Sequence, residues 1–194
     1  MPLHVDLTGK RALVSGVTSG IGAGIARTLA EAGCDVAGCG RSSEGSEGVR
    51  AFLQSVESVG QKAVYHSADL AKPDAITQWV AAAADQLGGI DILVSNAGRN
   101  VFTSVSGTRE QDWREAMELD LATHWRLAKA ARSHLDTSDQ GVIIVITSNH
   151  AFFTIPGCFP YNVAKAGLVA LVQSLAIEWG PRIRAVGIAP GFID

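Results

Sequence analysis

The chain has 194 residues, 47% of them apolar and 18% charged, and a formal net charge of −3. That suffices for one domain with a substantial core, while the scattered Lys and Arg give no electrostatic footprint for nucleic acid or an acidic membrane. No stretch approaches the roughly eighteen apolar residues of a membrane span, and Met1–Leu7 lacks the apolar core of a signal peptide.

Strand-like and helix-like segments then alternate along the chain. Arg11–Val14 is a short apolar run, followed by glycines and by Ile21–Ala32 at helical spacing. Asp35–Cys39 reads as a second strand, Val49–Val59 as a second helix, and Lys62–His66 as a third strand with β-branched and aromatic residues. Lys72–Leu87 carries Pro73 at a first helical turn and Ile76, Val80, Ala83 and Leu87 along one face. Ile92–Val94 is the fourth strand. A long helix is expected over about Glu110–His134, then the most apolar strand, Val142–Ile146. A second long helix runs from near Pro160 to about Gly180, and Ile183–Ala189 is the last strand. Near-continuous apolar strands separated by helices require a parallel sheet covered on both faces. The expected fold class is therefore α/β, a doubly wound, Rossmann-like parallel sheet in a single domain over residues 1–194.

Leu13-Val14-Ser15-Gly16 ends a strand and Gly20-Ile21-Gly22-Ala23-Gly24 opens a helix. A helix N-terminus presents free N–H groups and partial positive charge to an anion. Glycine lets the backbone turn tightly and approach a pyrophosphate. Gly16, Thr18, Ser19, Gly20, Ile21 and Gly22 are thus candidate cofactor-binding residues. In dinucleotide folds an acid about twenty residues further on grips the ribose 2′-OH. Here the second strand ends Cys39-Gly40-Arg41-Ser42-Ser43 with no acid at its tip. Arg41 and Ser42 instead suit a 2′-phosphate, so NADP is preferred. NAD stays open, because Glu44 and Glu47 could repel a phosphate.

Tyr161 and Lys165 lie four residues apart at the start of a helix and so point the same way. A phenol titrates near 10 and is a poor base at neutral pH, but an ammonium about 4 Å away contributes roughly 4 kcal/mol, about three pK units. Tyr161 is therefore expected to be drawn towards neutrality. Ser148 closes the most apolar strand, where parallel-sheet enzymes collect their ligands, and its hydroxyl can hold a substrate oxygen while Tyr161 exchanges the proton.

The spacing G-x-x-x-G-x-G, with Ser15 where threonine is usual, followed downstream by Ser148 and Tyr161-Asn162-Val163-Ala164-Lys165, resembles the short-chain dehydrogenase/reductase family. The resemblance implies hydride transfer between a nicotinamide cofactor and a carbonyl or secondary alcohol. It makes Ser148, Tyr161 and Lys165 the catalytic group, with Lys165 also on the nicotinamide ribose. It places Asp69-Leu70 near the adenine and Asn96, Ala97 and Gly98 (the segment Ser95–Gly98, with Ser95 for an asparagine) along the cofactor. Pro190 and Gly191 would flank the nicotinamide. Asp120 stands where the family has a catalytic asparagine whose main-chain carbonyl holds a relay water. It either serves in the same backbone role or shifts the relay.

In the family the two long helices pair with their symmetry mates, which implies a homodimer or homotetramer here. Leu168, Leu171, Val172, Leu175 and Ala176 are the apolar residues of the second helix singled out for that contact. Members normally continue past the Pro-Gly segment with a substrate-covering loop, a helix and a final strand. On that comparison the chain is expected to lack its last strand and substrate loop and to leave Ile183–Ala189 as a sheet edge. A catalytically weak dinucleotide-binding module is accordingly the second functional reading. Cys34, Cys39 and Cys158 have no metal-ligand spacing and read as reduced core thiols of a cytoplasmic protein with no metal site. His4, His66, His124 and His134 also lack metal spacing. His150 reads as a loop histidine beside the substrate region, and Trp113, Trp125 and Trp179 as packing or subunit-contact residues.

Overall fold

A computed structural model describes residues 5–193, so the readings made on Met1–His4 and on Asp194 lie outside the described residues. In chain order the elements are β1 (Arg11–Ser15), α1 (Gly20–Glu31), β2 (Asp35–Gly40), α2 (Glu47–Glu57), β3 (Ala63–Ser67), α3 (Pro73–Leu87), β4 (Ile92–Ser95) and β5 (Phe102–Thr103). Then follow α4 (Glu110–Met117), a π-helical turn (Glu118–Ala122), α5 (Thr123–Thr137), β6 (Gly141–Ile146), a 3₁₀ turn (Asn149–Ala151), β7 (Phe159–Pro160), α6 (Tyr161–Trp179) and β8 (Ile183–Ile188). No described helix is long and apolar enough to cross a membrane.

Six strands form one parallel sheet in the order β3-β2-β1-β4-β6-β8. Leu13 pairs with Ala37 on one side and Leu93 on the other, and β6 runs in register with β8 from Gly141↔Ile183 to Ile146↔Ile188. The inner strands β1, β2, β4 and β6 are apolar on both faces because both are covered, whereas β8 is largely exposed. Leu13, Leu93 and Ile143 pack with Val80, Leu127 and Leu168 from α3, α5 and α6. Ala12, Val14, Val36 and Val94 pack with Ala26 and Phe52 from α1 and α2. The expected doubly wound sheet is what forms, and the chain direction switches between β1 and β4. At such a switch the crevice outside the carboxyl ends of the strands is open to a ligand. Among the described residues β8 is the outer strand on its side.

Three local differences matter for the site. The expected Glu110–His134 helix is not a regular α-helix but two, joined by the π turn around Asp120. Such turns re-aim side chains within a helix, often where function needs it. Phe102–Thr103 and Phe159–Pro160 form a small antiparallel pair apart from the main sheet, which period alone did not mark. In α6, Leu168 and Leu175 are buried against the sheet instead of contributing to a free apolar face. The exposed apolar positions of α6 are Val163, Ala166, Ala170, Ala176 and Ile177, so of the residues singled out for the contact only Ala176 is exposed.

Candidate active site

After Ser15 the chain turns through Gly16 and Gly20, both in the left-handed region at φ 77° and 56°. A Cβ on Gly22 would stand 2.0 Å from the Gly16 carbonyl oxygen and 2.5 Å from Asn96 Nδ2, so only glycine lets this turn close. At the start of α1 the Ser19 side chain makes no capping bond, and the first turn carries no acid. Its N–H groups and the positive end of the helix dipole are left for an anion from outside.

The Ser15 hydroxyl accepts from Asn96 N and Ala97 N, each at 2.9 Å, and Asn96 Nδ2 donates to Ser15 O at 2.9 Å. These bonds tie the Ser95–Gly98 segment to the glycine turn, which is why a hydroxyl is needed at position 15 and serine supplies it. Arg41 is exposed at the tip of β2, and the Ser42 carbonyl accepts from the Tyr65 hydroxyl at 2.9 Å. Asp69 Oδ1 accepts from Ala71 N at 3.2 Å, a local turn bond that leads into α3. Leu70 is buried, and its carbonyl accepts from Thr123 Oγ1 at 2.8 Å. The Pro190 carbonyl accepts from Asn149 N at 3.0 Å, bringing Pro190 and Gly191 to the segment after β6 that carries Ser148.

The glycine turn from Gly16 to Gly22, Arg41 and Ser42, Asp69 and Leu70, Asn96 to Gly98, Pro190 and Gly191 line one cleft of about 1670 Å³ together with Ser148, Tyr161 and Lys165. Pockets for a single small ligand run to about 300–1,000 Å³, so the cleft has room for an extended cofactor and a second molecule together. Asp120 does not line it. Asp120 is fully buried beside Gly98, where a Cβ would fall 2.7 Å from Asp120 Oδ1.

At the reacting end, Ser148 lies beside the Tyr161 phenol, donates to Asn149 Oδ1 at 3.4 Å and accepts from His150 N at 3.2 Å. Lys165 Nζ donates to the Ile146 carbonyl at 3.1 Å and lies 5.5 Å from the centre of the Tyr161 ring. Phe102 meets that ring edge-on at 5.2 Å, held there by the β5–β7 pair and by Thr103 Oγ1 donating to Phe159 O at 2.9 Å. Phe102, Phe153 and Ile155, which the sequence did not mark, and Cys158, which it marked only as a core thiol, all line the cleft. A usable signal was present: residues 100–108 and 147–164 contain no Asp, Glu, Lys or Arg.

The expected lowering of the Tyr161 pKa is not what the site produces. Burial pushes the phenol above its ordinary value; the Ser148 hydrogen bond opposes this, and Asp120 and Cys158 add to the rise. Lys165 fails to reverse it because its ammonium sits beside the ring, bonded to Ile146, and is itself lowered by burial despite the opposing pull of Asp120. Asp120 is raised by burial against the Arg99 N–H, which donates to Oδ1 at 2.6 Å, and against Lys165. Its Oδ2 has no hydrogen-bond partner among the described residues. His124, one turn on, is fully buried with Nδ1 2.8 Å from Ser95 Oγ, while Nε2 has no partner among the described residues. Burial and then Lys165 push its pKa down to about 3, so it is neutral.

The short chain dehydrogenase family pattern matches residues 10–194. The chain is 34% identical over 191 residues to the 3-oxoacyl-[acyl-carrier-protein] reductase of Vibrio cholerae, covering 98% of this chain and 76% of that protein. A Burkholderia cenocepacia short chain dehydrogenase crystallised with NADP superposes with TM-score 0.90 at 35% identity, over 97% of this chain and 76% of the other. Carveol dehydrogenase from Mycobacterium avium, crystallised with NAD, superposes with TM-score 0.89 at 25% identity, over 96% and 72%. By pattern, sequence and fold alike, the chain belongs to the short-chain dehydrogenases, a family of NAD(P)-dependent oxidoreductases.

Proposed function

We propose that the chain interconverts a small carbonyl compound and its secondary alcohol with NADP(H), Tyr161 exchanging the proton. One observation carries this reading: Ser148 and the Tyr161 phenol side by side, with Lys165 behind the ring, on the wall of the cleft that also holds the glycine turn. The fit to a dinucleotide rests on the uncapped N-terminus of α1 and on the tight turn that Gly22 lets close against Gly16 and Asn96 at that terminus. When bound, the nicotinamide supplies or accepts the hydride. Ser148 orients the substrate oxygen through its hydroxyl. Tyr161, with its pKa raised, is protonated at neutral pH and can donate to that oxygen as a carbonyl is reduced. Alcohol oxidation needs the phenolate and therefore gains rate as pH rises into the alkaline range. Lys165 contributes an ammonium beside the ring and a donor for the cofactor ribose, and Asp120 sustains the ammonium's charge.

Arg41 supports NADP because it is exposed at the tip of β2 with no acid beside it at that tip. Arg41→Asp replaces a phosphate partner by a group that repels phosphate. Loss of a charge-assisted contact costs about 1.5–3 kcal/mol, so the NADPH-to-NADH ratio of kcat/KM should fall by at least about tenfold. An unchanged ratio would take the 2′-phosphate away from Arg41.

The outward residues Trp125 and Ile177, 47% and 82% exposed, support self-association through α5 and α6 as a homodimer or homotetramer. A monomer by light scattering at micromolar concentration would refute it. The three buried free thiols fit the cytoplasm as the working compartment. Turnover on a panel of ketones, aldehydes and alcohols with NADPH tests the whole reading. Cofactor binding without turnover would leave the weak dinucleotide-binding module in its place.

A further inference from the structure

Three loops meet around the Ser148–Tyr161 pair. Residues 100–105 reach it through the β5–β7 ladder, residues 147–160 run directly into Tyr161, and residues 189–193 join through Thr147 N to Ile188 O at 2.8 Å and Asn149 N to Pro190 O at 3.0 Å. None of the three contains an Asp, Glu, Lys or Arg. The formally charged residues that do line the cleft lie elsewhere. Arg41 and Asp69 stand at the ends of β2 and β3, and Lys165 is buried and bonded to Ile146. Arg99 is paired with Glu115 at 3.5 Å. What the loops present instead is apolar: Phe102 is 51% exposed, Phe153 82%, Ile155 64% and Phe192 97%. A contiguous exposed apolar patch marks a binding surface, and this one begins at the atoms of Tyr161, with Phe102 edge-on to its ring.

We infer, on the basis of the carbonyl–alcohol reading above, that the substrate is an uncharged ketone with an apolar body, or the corresponding alcohol, and not a keto acid or a phosphorylated carbonyl. A carboxylate or phosphate here would lose water and, among the described residues, find no unpaired cation in these loops, an uncompensated desolvation. An alkyl or aryl body would cover the four side chains and gain with each buried methylene.

The test is a length and charge series with NADPH: 2-butanone, 2-hexanone and 2-octanone, against 7-oxooctanoate. Each buried methylene is worth about 0.8 kcal/mol, roughly fourfold. On that scale kcat/KM should climb by about 200-fold over the four added methylenes from 2-butanone to 2-octanone, and 2-octanone should exceed 7-oxooctanoate by at least about tenfold. Phe153→Ser combined with Ile155→Ser should flatten the length dependence while NADPH affinity holds. Titration calorimetry of the same compounds into the NADPH-loaded protein reads the pocket without chemistry. Graded binding with no turnover would sink the reductase reading and leave this inference standing. A flat series, or 7-oxooctanoate equal to 2-octanone, would overturn the inference whatever the turnover.

Discussion

Two buried carboxylates sit at opposite ends of the sheet and live in opposite ways. Asp91, where β4 begins, receives Arg11 N at 3.0 Å, Arg11 Nε at 2.8 Å and Ser138 Oγ at 2.6 Å. Burial pushes it up, but these bonds outweigh burial and hold it below the ordinary carboxylate range. Asp120, near the carboxyl ends, has one backbone N–H, one oxygen without a partner among the described residues, and a pKa raised by burial. A saturated carboxylate fastens strands together. An unsaturated one beside Lys165 is tolerated only where its electrostatic effect on neighbours outweighs the desolvation. The two ends of the sheet divide stability from chemistry.

Tyr161→Phe is the sharpest way to break that division. It keeps the ring against Phe102 and removes only the transferable proton. Turnover should fall by about 10²–10⁴, with cofactor binding within a few-fold and the thermal midpoint little changed. Retained turnover would remove Tyr161 from the mechanism. Asp91→Ala should do the reverse. Removing one partner of a buried pair costs about 3 kcal/mol, read in denaturant unfolding, while the NADPH-to-NADH preference and the pH profile of surviving enzyme stay as they were. A shifted profile would show that the two ends are coupled.

The doubly wound sheet and the glycine turn were legible because backbone requirements leave residue signatures, although the order of the strands was not. Only glycine fits at position 22, and apolar runs such as Val142–Ile146 announce covered strands. The reacting end was legible in its named residues but not in its electrostatics. Helical spacing correctly placed Tyr161 and Lys165 on one side. It could not show that Lys165 bonds to Ile146, or that burial would outweigh its charge. The π turn that seats Asp120 has no composition of its own, and Phe102 reaches Tyr161 only through a two-residue ladder from a distant segment. His124 had no motif, and its burial against Ser95 emerges only when β4 and α5 pack.

His124 separates the two ends through pH. Its folded pKa, about 3, lies below the ordinary 6.5. The stability it confers is therefore present above pH 6.5 and is lost as pH falls towards 3. Between pH 6.5 and 5 the loss approaches about 2 kcal/mol. In His124→Val the unfolding free energy should be flatter across that window, whatever its absolute level. The same slope in both proteins would show that another group carries it.

The smallest expected effect is that of Asp120→Asn, which keeps the shape and removes the charge. Asp120 is raised in the folded state, so its contribution to stability is fully present below the unfolded value near 3.8. That contribution is lost as pH rises through the folded value. The variant, which cannot ionise, should escape that loss and be the more stable protein at neutral pH. Two neighbours respond in the same direction. Asp120 raises both Tyr161 and Lys165, so its removal lowers both. The alkaline limb of alcohol oxidation, which follows formation of the phenolate, should then move to lower pH, and carbonyl reduction should fade earlier as pH rises. The readout is kcat/KM against pH in each direction for wild type and variant. Limbs that coincide, with unfolding midpoints that also coincide at neutral pH, would show that Asp120 is as inert as a saturated structural carboxylate, and the contrast with Asp91 would fall.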